Sequence, residues 1–244
     1  MAEFDRPTIA ARTGTAAVVD EGLRSYMLKV YNYMGIGLVV TGLVAYFANQ
    51  AAVSNGQLTG WGELLYTSPL MWVIALSPLA FVLVLSFGIN KLSVGAAQAT
   101  FWAFAAVMGL SLSSIFMVYT DASIAKVFFI TAATFGAMSL WGYTTKRDLT
   151  GMGSFLFMGL IGLIIAMIVN IFLQSSMLEF AISAIGVLIF VGLTAYDTQK
   201  IKEMYFEGDG EAVAGRKAIM GALRLYLDFI NLFMMLLSLF GDRR

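Results

Sequence analysis

Seven apolar stretches, parted by short polar breaks, run along the chain: Met27–Ala52, Leu70–Ile89, Val94–Tyr119, Ile124–Tyr143, Met152–Leu173, Leu178–Gln199 and Lys217–Phe240. Each has about 20 residues or more, enough for a helix to cross a hydrocarbon core of roughly 30 Å at 1.5 Å per residue. Strands of a membrane barrel would be roughly ten residues long and strictly alternating, a pattern these continuous runs lack. The pattern predicts an all-α, polytopic membrane protein with seven transmembrane helices, residues 27–244 forming the transmembrane domain. Residues 1–26 mix Glu3, Asp5, Asp20 and Glu21 with Arg6, Arg12 and Arg24 and show neither the apolar core nor the cleavage site of a signal peptide. They are expected to form a cytoplasmic N-terminal tail.

Basic residues sort between alternate breaks. The tail holds three arginines, and Lys91, then Lys146 and Arg147, then Lys200, Lys202 and Arg216 follow the second, fourth and sixth spans. The intervening breaks, about Val53–Pro69, Thr120–Ser123 and Gln174–Met177, hold no Lys or Arg. The positive-inside rule therefore puts the N-terminus in the cytoplasm. Seven crossings then put the C-terminus outside, against which Arg243 and Arg244 weigh mildly, and a re-entrant last segment is the alternative. Glu63, Asp121 and Glu179 form an acidic outer rim that would concentrate cations, unless it merely reflects the exclusion of basic residues from that side.

Composition agrees with the membrane reading and narrows the chemistry. The chain is 59% apolar and 12% charged, with a mean hydropathy of +0.83, outside the balance of a soluble domain. It has no cysteine and no histidine. Disulfides, thiolate nucleophiles and His-ligated zinc or haem are excluded, no cofactor is expected, and any protein-bound metal should be a hard cation on oxygen ligands. A response to pH near neutrality then falls to carboxylates. Net charge is zero and no basic cluster is interleaved with aromatics, so no nucleic-acid partner is expected. Glu207-Gly208-Asp209-Gly210-Glu211 opens like a calcium loop but lacks the closing glutamate, since the twelfth position falls on Ala218 or Met220.

A few polar positions interrupt the spans. A carboxylate inside a span costs roughly 2.5 to 3.5 kcal/mol on insertion scales, so its presence points to a use. Asp197 closes the sixth span, and Arg224, Asp228 and Asn231 sit in the seventh at i, i+4 and i+7, one polar stripe on an apolar helix. Such a stripe belongs in the bundle interior, which makes the seventh helix central with the other six around it. Ser183, Gly186, Phe190, Thr194 and Asp197 share one face of the sixth helix, so Asp197 and Asp228 are expected to approach each other. The alternatives are an interfacial, hydrated Asp197 beside Lys200 and Lys202, and a closed Arg224–Asp228 ion pair. Glycines 159, 162, 186 and 192, with Ala166, read as positions of close helix packing, and Asn170, Gln98 and Thr134 as lining groups or interhelical hydrogen-bond partners.

The segment Thr194-Ala195-Tyr196-Asp197-Thr198-Gln199-Lys200-Ile201, followed by Leu225-Tyr226-Leu227-Asp228-Phe229-Ile230-Asn231-Leu232-Phe233, resembles the Bax inhibitor-1 family, the transmembrane Bax-inhibitor-motif proteins. Length and span number agree over nearly the whole chain, while the quotable motifs lie in its C-terminal third. Zero net charge and the lack of a eukaryotic targeting signal favour a bacterial member, in the inner membrane. The resemblance implies a seven-helix fold with a central seventh helix. It also implies a pH-sensitive calcium leak channel whose pH sensor and ion pathway are Asp197 and Asp228, which would give calcium weak, transient coordination. In some relatives a basic residue near the end of the second span partners one aspartate. Here that region reads Ile89-Asn90-Lys91, so Lys91 and Arg224, with Asn231, are the candidate polar partners.

Two facing carboxylates at low dielectric cannot both ionise cheaply, and such a pair should titrate in two macroscopic steps. A proton shared between them would hold the sixth and seventh helices together and gate the path. Paired aspartates on consecutive spans also suit an intramembrane aspartyl protease, yet only Tyr196-Asp197 fits that signature: Tyr226-Leu227 precedes Asp228 where a glycine-rich element is required. A non-enzymatic role is therefore expected. The remaining alternatives are a proton-coupled cation carrier and a regulatory protein that acts on a membrane partner such as a protease. The expected partners are thus the lipid bilayer, calcium, protons and, in the last case, another membrane protein.

Overall fold

The computed structural model describes residues 7–244, with side chains from Glu21 onward. Its elements in chain order are α1 (Pro7–Ala52), a hairpin of β1 (Val53–Ser54) and β2 (Gln57–Leu58), α2 (Gly60–Tyr66), α3 (Leu70–Gly88) extended by one 3-10 turn (Ile89–Lys91), α4 (Val94–Leu112), α5 (Ile115–Val118), α6 (Asp121–Thr144), α7 (Thr150–Leu173), α8 (Ser176–Glu203) and α9 (Glu211–Phe240). Seven helical stretches among the described residues are long and apolar enough to span a membrane: Glu21–Ala52, Leu70–Lys91, Val94–Val118, Asp121–Thr144, Thr150–Leu173, Ser176–Glu203 and Glu211–Phe240. They coincide with the seven apolar runs and extend several of them by a turn or two. Helix α1 begins within the stretch expected to be a tail; residues 1–6 lie outside the described residues.

The extensions follow from end chemistry. Ser93, Thr120 and Ser175 precede α4, α6 and α8, and each accepts a hydrogen bond from a first-turn N–H, at 3.2, 3.3 and 3.3 Å. Asp148 does the same for α7: it accepts from the Thr150 hydroxyl at 2.6 Å and the Thr150 N–H at 2.8 Å. The outer loop after α1 is not plain coil. Asn55 and Gly56 both have positive φ, 50° and 76°, the backbone a two-residue hairpin needs, and they turn β1 onto β2.

Helix α9 is the hub. In its most apolar stretch 61% of residues are buried, against 11% in α3 and α7. It packs on α8, α1, α6 and α4, touches α3 lightly, and leaves α7 to pack on α8. The expectation of a central seventh helix holds, except that one of the six neighbours stands a layer further out. Two aromatic residues of α9 fix its rotation. Tyr226 is fully buried, its ring 6.0 Å from Phe101 and 5.1 Å from Phe104 of α4, with its hydroxyl 2.7 Å from Thr41 Oγ1. Thr41 in turn donates to the Ala105 carbonyl at 2.8 Å, so the buried polar pair is satisfied. Phe229 packs on Phe128 and Phe135 of α6, both at 5.5 Å.

The re-entrant alternative for the last span does not hold, because α9 is an unbroken helix of 30 residues, about 45 Å long. Past its end, Arg243 pairs with Glu179 and Arg244 with Asp121, both at 2.6 Å. Backbone bonds from Thr120 N–H to the Asp242 carbonyl, 3.0 Å, and from Arg244 N–H to the Val118 carbonyl, 2.9 Å, lay the same segment along the turn before α6. The C-terminal arginines therefore sit on the face opposite the basic loops. They also neutralise two members of the expected acidic rim, leaving Glu63 as the third.

Tyr226→Phe removes one interhelical hydrogen bond while Thr41 keeps its carbonyl partner, so a loss of about 1 kcal/mol is expected in reversible unfolding in micelles. At the start of α7, the hydrogen bonds from the Thr150 hydroxyl and N–H hold the Asp148 carboxyl below the usual carboxylate range. A group lowered in this way adds stability above its unfolded pKa and loses it as pH falls through its folded one. Asp148→Ala should therefore speed hydrogen exchange in the first turn of α7 at neutral pH, and the difference should vanish once acid protonates the wild-type carboxyl.

Candidate functional site

Consecutive residues of α8 address different neighbours, as a helix step of 100° requires. At Gly142 of α6 a Cβ would come within 2.2 Å of the Ala195 carbonyl oxygen, and at Gly153 of α7 within 2.3 Å of the Tyr196 ring. Only glycine lets α6 and α7 approach α8 this closely. Thr198 bonds Ser139 of α6 at 2.9 Å, and Ser139 bonds Tyr31 of α1 at 2.6 Å. Gln199 accepts from the Leu149 N–H at 2.9 Å and donates to the Arg147 carbonyl at 2.8 Å, stapling the loop between α6 and α7. Lys202 donates to the Tyr143 carbonyl at 2.8 Å.

With its neighbours so engaged, Asp197 turns toward α9. It is 7% exposed and Asp228 5%, and the two line one cavity at the seam of α8 and α9. The interfacial, hydrated alternative for Asp197 thus does not hold. The closed Arg224–Asp228 pair does not form either: Arg224 Nη1 lies 3.8 Å from Asp197 Oδ1, across the seam, with the arginine side chain half-exposed. Asp228 Oδ2 is buried and has no donor partner among the described residues. Ser183, Phe190 and Thr194 are buried on the same face of α8, as their spacing predicts.

Both carboxylates open onto a cavity of about 860 Å³ between α3, α7, α8 and α9, which Arg224 and Asn231 also line. Asn231 donates its amide N–H to the Leu227 carbonyl of its own helix at 2.8 Å. Toward the outer face the cavity adjoins a second of about 340 Å³, and Met167 and Met235 line both. The second holds Asn170, Ser183, Ser238 and, at the outer end, Glu179. Both cavities are lined mainly by apolar side chains around these polar groups, and Glu179 in the second is the partner of Arg243. Of the other expected lining groups, Gln98 and Thr134 are not part of either wall. Lys91 is exposed and forms no ion pair with either aspartate among the described residues.

The close-packing glycines divide. Gly186 meets Met235, Gly192 meets Leu156 and Gly159 meets Ile189, but nothing among the described residues lies within 4 Å of a Cβ built on Gly162. The Tyr31–Ser139–Thr198 chain and the Gln199 staple were not assigned from sequence, although Thr198 and Gln199 stand beside Asp197 in the motif. Glu207-Gly208-Asp209-Gly210-Glu211 is closed by Lys217, which pairs with Asp209 and donates to the Met204 carbonyl at 3.0 Å. Among the described residues no three acidic side chains come together to cage a metal ion.

The profile of the family described as "Inhibitor of apoptosis-promoting Bax1" matches residues 23–244. The chain belongs to the Bax inhibitor-1 family. Among its family relatives, the inner membrane protein YbhL of Escherichia coli K12 is 52% identical over 227 residues, covering 91% of this chain and 94% of that one. An uncharacterized protein of Rickettsia prowazekii is 48% identical over 225 residues, with 92% of each chain covered. An uncharacterized membrane protein of Streptococcus pyogenes serotype M3 is 37% identical over 223 residues, covering 91% and 94%. This Bax inhibitor-1 protein is accordingly a multi-pass protein of the bacterial inner membrane.

Proposed function

We propose that this protein is a pH-sensitive leak for calcium, gated by a proton shared between Asp197 and Asp228. The observation that carries the reading is the pair of buried carboxyl groups on one cavity, with one oxygen of Asp228 lacking a donor among the described residues. Two ionised carboxylates and Arg224 leave the site one negative charge in excess, and a single proton brings it to neutrality. That proton gives the orphan oxygen a hydrogen bond and ties α8 to α9. Its removal loosens the seam and frees oxygen ligands for a cation. Calcium prefers six to eight oxygens, so two carboxylates completed by water hold it weakly, as conduction requires. In this reading the cavities toward Asn170 and Glu179 would supply the outer route, with Met167 and Met235, which line both, between them. The role is non-enzymatic: the carboxylates bind protons and ions and break no bond.

The test is calcium flux into liposomes between pH 6 and 8. Wild type should show flux that changes with pH, and Asp197→Asn and Asp228→Asn should conduct without that dependence. A full wild-type pH response in Asp228→Asn would move the gate elsewhere. No flux at any pH from folded, inserted protein would replace the leak with regulation of a membrane partner. Arg224→Gln removes the counter-charge from the ionised pair, so the midpoint of the flux response should move to higher pH.

A further inference from the structure

On the side of α9 away from the aspartate cavity, α1 and α6 stand apart. The Tyr31–Ser139 hydrogen bond reaches across the gap. A cavity of about 510 Å³ occupies the cytoplasmic half and one of about 750 Å³ the outer half, and they meet at Met34 and Phe135. Phe229, Ile230 and Phe233 of α9 contribute to the wall of the outer half. From Arg24 to Met34 the cytoplasmic half runs ten residues of helix, about 15 Å, the depth of one leaflet of a roughly 30 Å core.

The walls keep this gap open at a cost. Gly35 and Gly42 on α1 and Gly136 on α6 line it, and a Cβ on any of them would meet nothing within 4 Å among the described residues. Each glycine inside a helix sacrifices about 0.8 to 1.0 kcal/mol relative to alanine, which close helix packing normally explains. Here no helix approaches. The one cation in the lining sits at the cytoplasmic end: Arg24 and Tyr143 line that mouth, and Lys202 stands over the Tyr143 ring, 5.1 Å from its centroid, whereas Tyr31 and Ser139 lie midway and the far end of the outer half carries Asp121, already paired with Arg244. Glu21, one turn before Arg24, is not part of the lining.

We propose that this groove binds an anionic phospholipid of the cytoplasmic leaflet, with its phosphate at Arg24 and an acyl chain running past Gly136 toward Gly35. A cation at headgroup depth above an apolar trough one leaflet deep matches that ligand in charge and in length. Free phosphate would leave the trough empty, and a zwitterionic lipid would make less of Arg24. The proposal stands independently of the calcium leak.

Native mass spectrometry of the full chain, released from nanodiscs of phosphatidylglycerol or of phosphatidylcholine, tests it. Wild type should retain phosphatidylglycerol in preference to phosphatidylcholine. Arg24→Gln should weaken that retention about fivefold, the equivalent of the roughly 1 kcal/mol that one basic residue contributes at an anionic surface. Gly136→Leu should abolish it by filling the trough, while Gly162→Leu, at an open glycine on α7, should leave it intact. Circular dichroism and thermal melting establish that each variant is folded. Equal retention of both lipids, or phosphatidylglycerol still held by folded Arg24→Gln and Gly136→Leu, would overturn the proposal. So would a stoichiometric second protein, lost in Gly136→Leu, with no difference in lipid.

Discussion

A carboxylate in the hydrocarbon core must meet a proton, a cation or another polar group, and this bundle places two in the same seam. Asp197 and Asp228 are each supplied by a helix whose neighbouring positions are tied to other helices, which holds both carboxylates at the seam. Arg224 answers one of the two negative charges, and the imbalance that remains is of the size of a single proton. The order of packing follows from this requirement. Helix α9 must be central to present Asp228 inward, and α8 must lie directly against it. Helix α7, with no polar group for the seam except Asn170 near the outer face, is free to stand behind α8.

The two quoted motifs work as sets of addresses. In α8, Ala195 and Tyr196 receive glycines of α6 and α7, Thr198 and Gln199 hold α6 and the following loop, and Asp197 is left for α9. In α9, Tyr226 locks to α1 and α4 and Phe229 to α6, on either side of Asp228. These contacts on neighbouring faces bring the carboxyl pair to the seam between α8 and α9.

Much of this was legible in the chain. Runs of apolar residues are a direct consequence of bilayer thickness, so all seven spans stood out, and i, i+4, i+7 spacing put Arg224, Asp228 and Asn231 on one inward face. Periodicity describes a single helix, however, and cannot name what lies across from it. Arg224 therefore looked like a partner for Asp228, one turn along, and instead reaches Asp197. Glycine carries the same ambiguity. Gly142 and Gly153 are indistinguishable in sequence from Gly162, yet the first two admit a neighbour and the third faces open space. The hairpin at Asn55-Gly56 announced itself in a strong turn dipeptide that the surrounding loop character obscured. Counting charges by loop separated the two faces of the bundle and left the two final arginines anomalous, because a count ignores ion pairs.

Those arginines bear on how the protein is assembled. The tether from Arg243 and Arg244 joins the turn before α6 to the start of α8, although every span precedes it in the chain. It can be made only after α9 has been threaded through the bilayer and two positive charges have been carried across with it. The fastening of the outer ends of the fourth and sixth spans to each other thus depends on the helix that follows both of them in the chain.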